Sequence, residues 1–188
     1  LEELKAKVKN EKWAAAVEYF QAIRDSALIV KRMNEDETWR WDYHKTADSL
    51  GYESVVAKCK SGFVNAKFDF LRIRYAFQAL RALRFNKNYV GCVSWYEKNI
   101  VPLMPKGTMY YRCMQYYAGA LYNLQRYAEA NYYFAKIFLE YPQRAGQAAF
   151  DFRPFDQSDW TQVQKMAKTN KEKAAMYFLH GRKDPLNG

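Results

Sequence analysis

Glycine and proline are scarce, at 8 and 5 in a chain of 188 residues. They fall between periodic segments, which leaves room for long uninterrupted helices. A many-turned sandwich or barrel would need turn residues more often. Cysteine is scarcer still. Cys59, Cys92 and Cys113 are odd in number, far apart and without a CxxC pair. That excludes a disulfide framework and a zinc site, and each is expected to fill a small buried position on a helix. No apolar run approaches the ~20 residues that cross a bilayer as a helix. The chain shows no signal peptide and no starting methionine, so a piece of a longer protein is expected. Its compartment is not encoded; a soluble chain of the cytoplasm or periplasm is consistent with what is there.

Catalytic chemistry is also missing. The two histidines, His44 and His180, each stand alone. HExxH, a Cys/His cluster, GxSxG, GxxxxGK[ST] and GxGxxG are all absent. Asp156 with Asp159, and Glu35 with Glu37, read as turn and cap residues rather than as acid–base pairs. A non-enzymatic protein without cofactor or metal is expected.

What is present is bulk and positive charge. Hydrophobic residues make up 49 % of the chain and aromatics 18 %, too much large apolar side chain for a disordered tail. The length suits one buried domain or a short solenoid. Lys and Arg total 30 against 20 Asp and Glu, giving +10. Such a field favours an acidic partner, a nucleic-acid backbone or an anionic surface, and is equally served by a solvated basic exterior.

The apolar residues recur with helical spacing. Met114, Tyr117, Ala118, Leu121 and Leu124 draw one stripe. Asn123–Arg126 makes a turn, and Tyr127, Ala130, Phe134, Ile137 and Phe138 draw a second stripe that Pro142 closes near Tyr141. The pair reads as an antiparallel helical hairpin, with Ala118 and Ala130 allowing close approach. Copies of the second helix open at Trp13, Tyr52 and Tyr89, at steps of 39, 37 and 38 up to Tyr127. The copy at Tyr52 is soon interrupted by Ser61 and Gly62. First helices are expected over 69–85, with Phe70, Ile73, Ala76, Phe77, Leu80 and Leu83 as the stripe, and over a shorter Thr38–Leu50. Residues 1–9 read as a helix tail, and residues 25–35 extend the helix that starts near 12.

A two-helix unit recurring at this period is the signature of an α-solenoid. The residues Met114, Tyr117-Ala118, Leu121, Tyr127, Ala130, Phe134 and Pro142 resemble the tetratricopeptide repeat. The likeness is fullest over 108–142, thinner over 69–105 and faint over 1–62. The period is a few residues longer than in that family, with Asn86-Lys87-Asn88 as extra turn. The resemblance implies an all-α fold: a right-handed superhelix of antiparallel pairs over residues 1–142, in units of approximately 1–33, 36–62, 66–105 and 108–142. Adjacent pairs are then expected to bury Trp13, Tyr89, Tyr127 and Phe134 between them.

Beyond Pro142 the regularity stops. Residues 143–188 read as an aromatic loop with two short helices, either a divergent cap or the start of a truncated further repeat. Ser158 or Asp159 is expected to cap a helix over Trp160, Val163 and Ala167. Thr169 or Asn170 is expected to cap another that ends at Gly181, with Pro185 beyond. Phe150, Phe152 and Phe155 are either an exposed recognition element or a plug that packs on the array itself, and the second is favoured because aromatic clusters seldom stay in water.

Polar residues on the first helices supply the candidate site. Arg74, Gln78 and Arg81, with Lys67, share one flank of 69–85. Gln115, Tyr122 and Gly119 share the corresponding flank of the next, with Arg112 and Asn123 near. The first helices of tetratricopeptide arrays line the concave groove, so the resemblance implies that these flanks face a ligand. Guanidinium forks suit carboxylates, and amides and phenols suit a peptide backbone. The expected function is a scaffold that binds an acidic or extended peptide. Alternatives are a nucleic-acid-binding array, a helical hydrolase with an aromatic-lined pocket, and a purely structural segment of a larger protein. The same long side chains would equally serve to cover apolar surface and stay solvated.

Overall fold

The computed structural model describes residues 10–35 and 49–182, with side chains from 10 to 24 and from 51 to 182. Among these residues the fold is all-helical, with nine α-helices and no strand. The expectations for residues 1–9, for Thr38 to Asp48, and for His44 and Pro185 lie outside the described residues. The chain divides into two compact units at Lys87 and Asn88, inside the stretch 66–105 that the periodicity joins into one pair.

The first unit holds α1 (Glu11–Glu35), α2 (Ser49–Asn65) and α3 (Asp69–Phe85). Tyr52, Val55, Val56 and Cys59 are the buried stripe of α2, at helical three- and four-residue steps. Ala76, Phe77, Leu80 and Leu83 are buried on α3, whereas Phe70 and Ile73 are only half-buried. Gly62 does not break α2, which runs on to Asn65. The glycine sits under the ring of Tyr75, where a Cβ would lie 2.5 Å from Cε1, so the missing side chain is what lets α3 approach.

Trp13 corrects the expectation of a buried aromatic opener. It is 65 % exposed, and Phe20 is 59 % exposed. Helix α1 instead buries Ala16, Val17 and Tyr19, and Tyr19 meets Tyr75 of α3 edge-on at 5.1 Å. Glu11, Ala14, Ala15 and Glu18 line an open groove of about 410 Å3 with Gly62 and Tyr75, and the two large rings lie outside it.

The second unit is built around one helix. It comprises α4 (Tyr89–Trp95), α5 (Thr108–Asn123), α6 (Tyr127–Glu140), α7 (Ala145–Asp151), α8 (Gln157–Met166) and α9 (Asn170–Gly181). Helix α4 runs directly into a π-helical turn, Tyr96–Ile100, in which Val101 N–H donates to the Tyr96 carbonyl. Helix α6 packs against α5, α7, α8 and α9. Its Ala130 and Ile137 are wholly buried and Ala135 nearly so. Small residues on so many sides are what let four helices close on one. Phe134 is buried as expected, while Tyr89 and Tyr127 are half-buried.

Caps and turns set the boundaries. Leu121–Arg126 is a Schellman turn: Arg126 N–H donates to the Leu121 carbonyl and Gln125 N–H to the Tyr122 carbonyl. Gln125 takes φ 62° there, and Lys87, after α3, takes φ 56°. Helix α8 starts earlier than either expected cap. Asp156 is its N-cap and accepts from Asp159 N–H at 2.8 Å, while Asp159 accepts from Phe155 N–H at 3.1 Å. Both carboxylates are thus engaged with backbone donors at a helix start, where the macrodipole also favours them. Thr169 caps α9 in a reciprocal box with Glu172, and α9 ends at Gly181.

Candidate binding surfaces

On α3, Arg74, Gln78 and Arg81 are spaced by four and three residues and so share a face with Phe70 and Phe85. The arginines are laid against those rings. Arg74 stands 5.5 Å from the centre of the Phe70 ring and donates through Nη1 to the Phe70 carbonyl at 2.9 Å. Arg81 stands 5.6 Å from the Phe85 ring and is exposed. Lys12 approaches the Phe70 ring as well, at 5.2 Å. Gln78 donates to the Tyr19 hydroxyl at the long limit of 3.5 Å. Lys67 is spoken for by Glu11, at 2.5 Å between exposed side chains, and that pairing lowers the Glu11 pKa. The α3 row therefore presents cation, amide and cation, with the cations held in place by aromatic faces.

The α5 residues are drawn to two neighbours. Gln115 donates to the Asp151 carboxylate at 3.1 Å and accepts from Arg144 at 3.4 Å, so α7 and the short turn before it lie along this flank. Tyr122 meets Tyr127 edge-on at 4.8 Å, and Tyr127 stacks with Phe155 at 5.0 Å and 12°. Asn123 turns back to the Gly119 carbonyl at 2.7 Å, and Arg112 is exposed. The structure thus sets Gln115 against the segment 144–155, while Tyr122 reaches that segment only through Tyr127. Arg74, Gln78 and Arg81 belong to the first unit, and Arg112, Gln115, Tyr122 and Asn123 to the second.

That segment is held by two residues the sequence reading passed over or left open. Phe152 is wholly buried, whereas Phe150 and Phe155 are 62 % and 69 % exposed. Asn131, on α6, is also wholly buried; it donates to the Tyr127 carbonyl at 2.9 Å and accepts from Arg153 N–H at 2.5 Å. A polar residue inside an apolar helix face was the available signal, since a buried amide must find partners.

A tyrosine cluster occupies the interior of the second unit. Tyr96 stacks on Tyr117 at 4.2 Å, and Tyr117 donates to Glu97 at 2.9 Å. The Tyr96 hydroxyl is buried beside Tyr110 without a hydrogen bond of ordinary geometry. Burial pushes both phenols up, so near neutral pH they are uncharged and serve as packing groups, not bases. His180 stacks on Trp160 at 4.1 Å. Cys59, Cys92 and Cys113 are buried, and burial raises the Cys59 thiol to about 11. Among the described residues no group of three His, Cys, Asp or Glu could hold a metal, and no helix is long and apolar enough to cross a membrane.

No family model matches the chain, and neither a curated protein nor a solved structure matches it significantly.

Proposed function

We propose that the chain is a tetratricopeptide-like scaffold that binds an acidic or extended protein segment without catalysis. The observation that carries this reading is the α3 row: Arg74 and Arg81 braced against Phe70 and Phe85, with Gln78 between them. Bracing reduces the side-chain entropy lost when a carboxylate is gripped. On α5 the corresponding flank is engaged by the chain itself, with Gln115 donating to Asp151, which leaves the α3 row as the proposed site. The repeat architecture is supported by the two left-handed residues. Lys87 and Gln125 are 38 positions apart, as are the aromatic openers Tyr89 and Tyr127 that follow each by two. A superhelical stack of such pairs is what the resemblance implies.

The test is fluorescence anisotropy with a labelled glutamate-rich peptide. Exposed ion pairs contribute up to about 1 kcal/mol each, so Arg74→Ala with Arg81→Ala should weaken binding by up to about thirtyfold. Unchanged affinity in the double variant, or no binding by the parent chain, would remove the α3 row as the site.

A further inference from the structure

The C-terminal helices carry a feature that peptide binding on α3 does not use. Helices α8 and α9 are joined by Ala167, Lys168 and Thr169. Between them lies a groove of about 320 Å3, lined by Thr161, Gln164, Lys165, Lys173, Met176 and Tyr177. Met176 is buried and forms an apolar floor, while Tyr177 is 58 % exposed. The Tyr177 ring is fixed in place: Gln164 donates to its hydroxyl at 3.0 Å, and Trp160 meets it edge-on at 5.4 Å.

Lys165 and Lys173 line this groove, Lys168 and Lys171 lie between them in the chain at the turn and the start of α9, and all four are exposed. None is in an ion pair among the described residues. Residues 157–182 contain five Lys or Arg against two acids, Asp159 and Glu172. Both acids are occupied. Asp159 accepts from Phe155 N–H at the far end of α8. Glu172 is buried; its carboxylate accepts from Lys168 N–H at 2.6 Å, from Thr169 N–H at 3.1 Å and from the Tyr132 hydroxyl at 3.4 Å. The turn therefore combines outward ammonium groups with a carboxylate committed inward.

We propose that this hairpin is a second binding site, for single-stranded nucleic acid, with the lysines on phosphates and a base stacked on Tyr177. Two features favour that ligand over an acidic peptide. The cations are all lysines, compact point charges suited to a phosphate chain, without the planar fork that recognises carboxylates. The exposed aromatic ring is held rigid between the cations, as a stacking platform requires. A bilayer would call for a broader apolar face than two half-exposed rings over a buried methionine; neighbouring Phe178, 56 % exposed, is stacked on Phe138 at 5.7 Å.

The experiment titrates the whole chain into a fluorescein-labelled oligothymidylate and follows anisotropy across a salt series. Single strands give a slope of about −0.7 per phosphate neutralised on the double-logarithmic plot, so engagement of three or four lysines predicts a slope of about −2 to −3. Lys165→Gln with Lys173→Gln should make it shallower by about 1.4. Tyr177→Ala should weaken binding about tenfold or more, and Tyr177→Phe should retain it. Arg74→Ala with Arg81→Ala should leave this titration unchanged, which separates it from the peptide site. The proposal is overturned by an unaltered slope in the double lysine variant, by equal binding of Tyr177→Ala, or by absence of binding. Tighter capture of a glutamate-rich peptide or of phosphatidylserine vesicles through the same lysines would overturn it in favour of those partners.

Discussion

Replacing Phe152 by alanine should cost the second unit about 3–5 kcal/mol, the range for losing a buried phenyl and leaving a cavity. Phe152 has no exposed surface, and the adjoining Arg153 N–H is tied to the wholly buried Asn131 at 2.5 Å, so the site has little freedom to collapse. Transfer of the ring to water accounts for about 1.5–3 kcal/mol, and the unfilled space supplies the rest. Phe150 is the internal control. It is 62 % exposed and its ring faces Arg153 at 4.6 Å, a contact that contributes about 0.5–1 kcal/mol. Urea titration followed by tryptophan emission compares the two, because buried Trp160 belongs to the same unit. With a denaturant slope of about 2 kcal/mol/M, Phe152→Ala should lower the midpoint by roughly 1.5–2.5 M and Phe150→Ala by less than about 0.5 M. Equal shifts for the two variants would refute the assignment of Phe152 as the anchor of the segment.

Three further outcomes are expected. Ala130→Trp overfills a wholly buried position on α6 and should destabilise by about 1–3 kcal/mol; an unchanged melting temperature would count against the α5–α6 packing. Gln125→Gly relieves a left-handed residue at φ 62°, so despite the added freedom of the unfolded chain it should raise stability by up to about 1 kcal/mol in the same urea assay, and a loss would contradict the Schellman geometry. Stability should also fall at alkaline pH. Burial raises Cys59 to about 11 in the first unit, and raises Tyr111 and Tyr132 to about 12 in the second. The folded chain holds these protons more tightly than the unfolded one. Their contribution is therefore complete below the ordinary thiol and phenol values, and is lost as pH climbs from about 9 through the folded values. Thermal melts from neutral pH upward should show that decline, and a flat profile through it would argue against burial of these groups.

Helices were legible because their signal is local. Three- and four-residue apolar spacing marks α3, α5 and α6, and a proline or an αL turn ends them within a residue or so of where periodicity stops. Site residues were legible only as shared faces. Arg74, Gln78 and Arg81 sit on one side of α3 by spacing alone, but their bracing by Phe70, Phe85 and Tyr19 is a matter of packing. Gln115 reads as a free polar residue; its partner Asp151 is 36 positions away, beyond any periodic pattern. Residues 150–155 show the same limit. Three phenylalanines within six residues look alike in sequence, yet the structure buries one and leaves two outside.

By itself the sequence determined that the described chain is helical, where most helices start and stop, and that its surface is strongly basic, because backbone propensity, capping and charge act over a few residues. Tertiary structure decided which apolar residues are core. It placed α6 among four neighbours, turned Trp13 and Phe20 outward on α1, enclosed Phe152 and Asn131, and committed Glu172 inward beneath a turn of lysines. Burial is a property of neighbours brought from far along the chain, and a residue's own spacing carries only the face it shares, not what that face will meet.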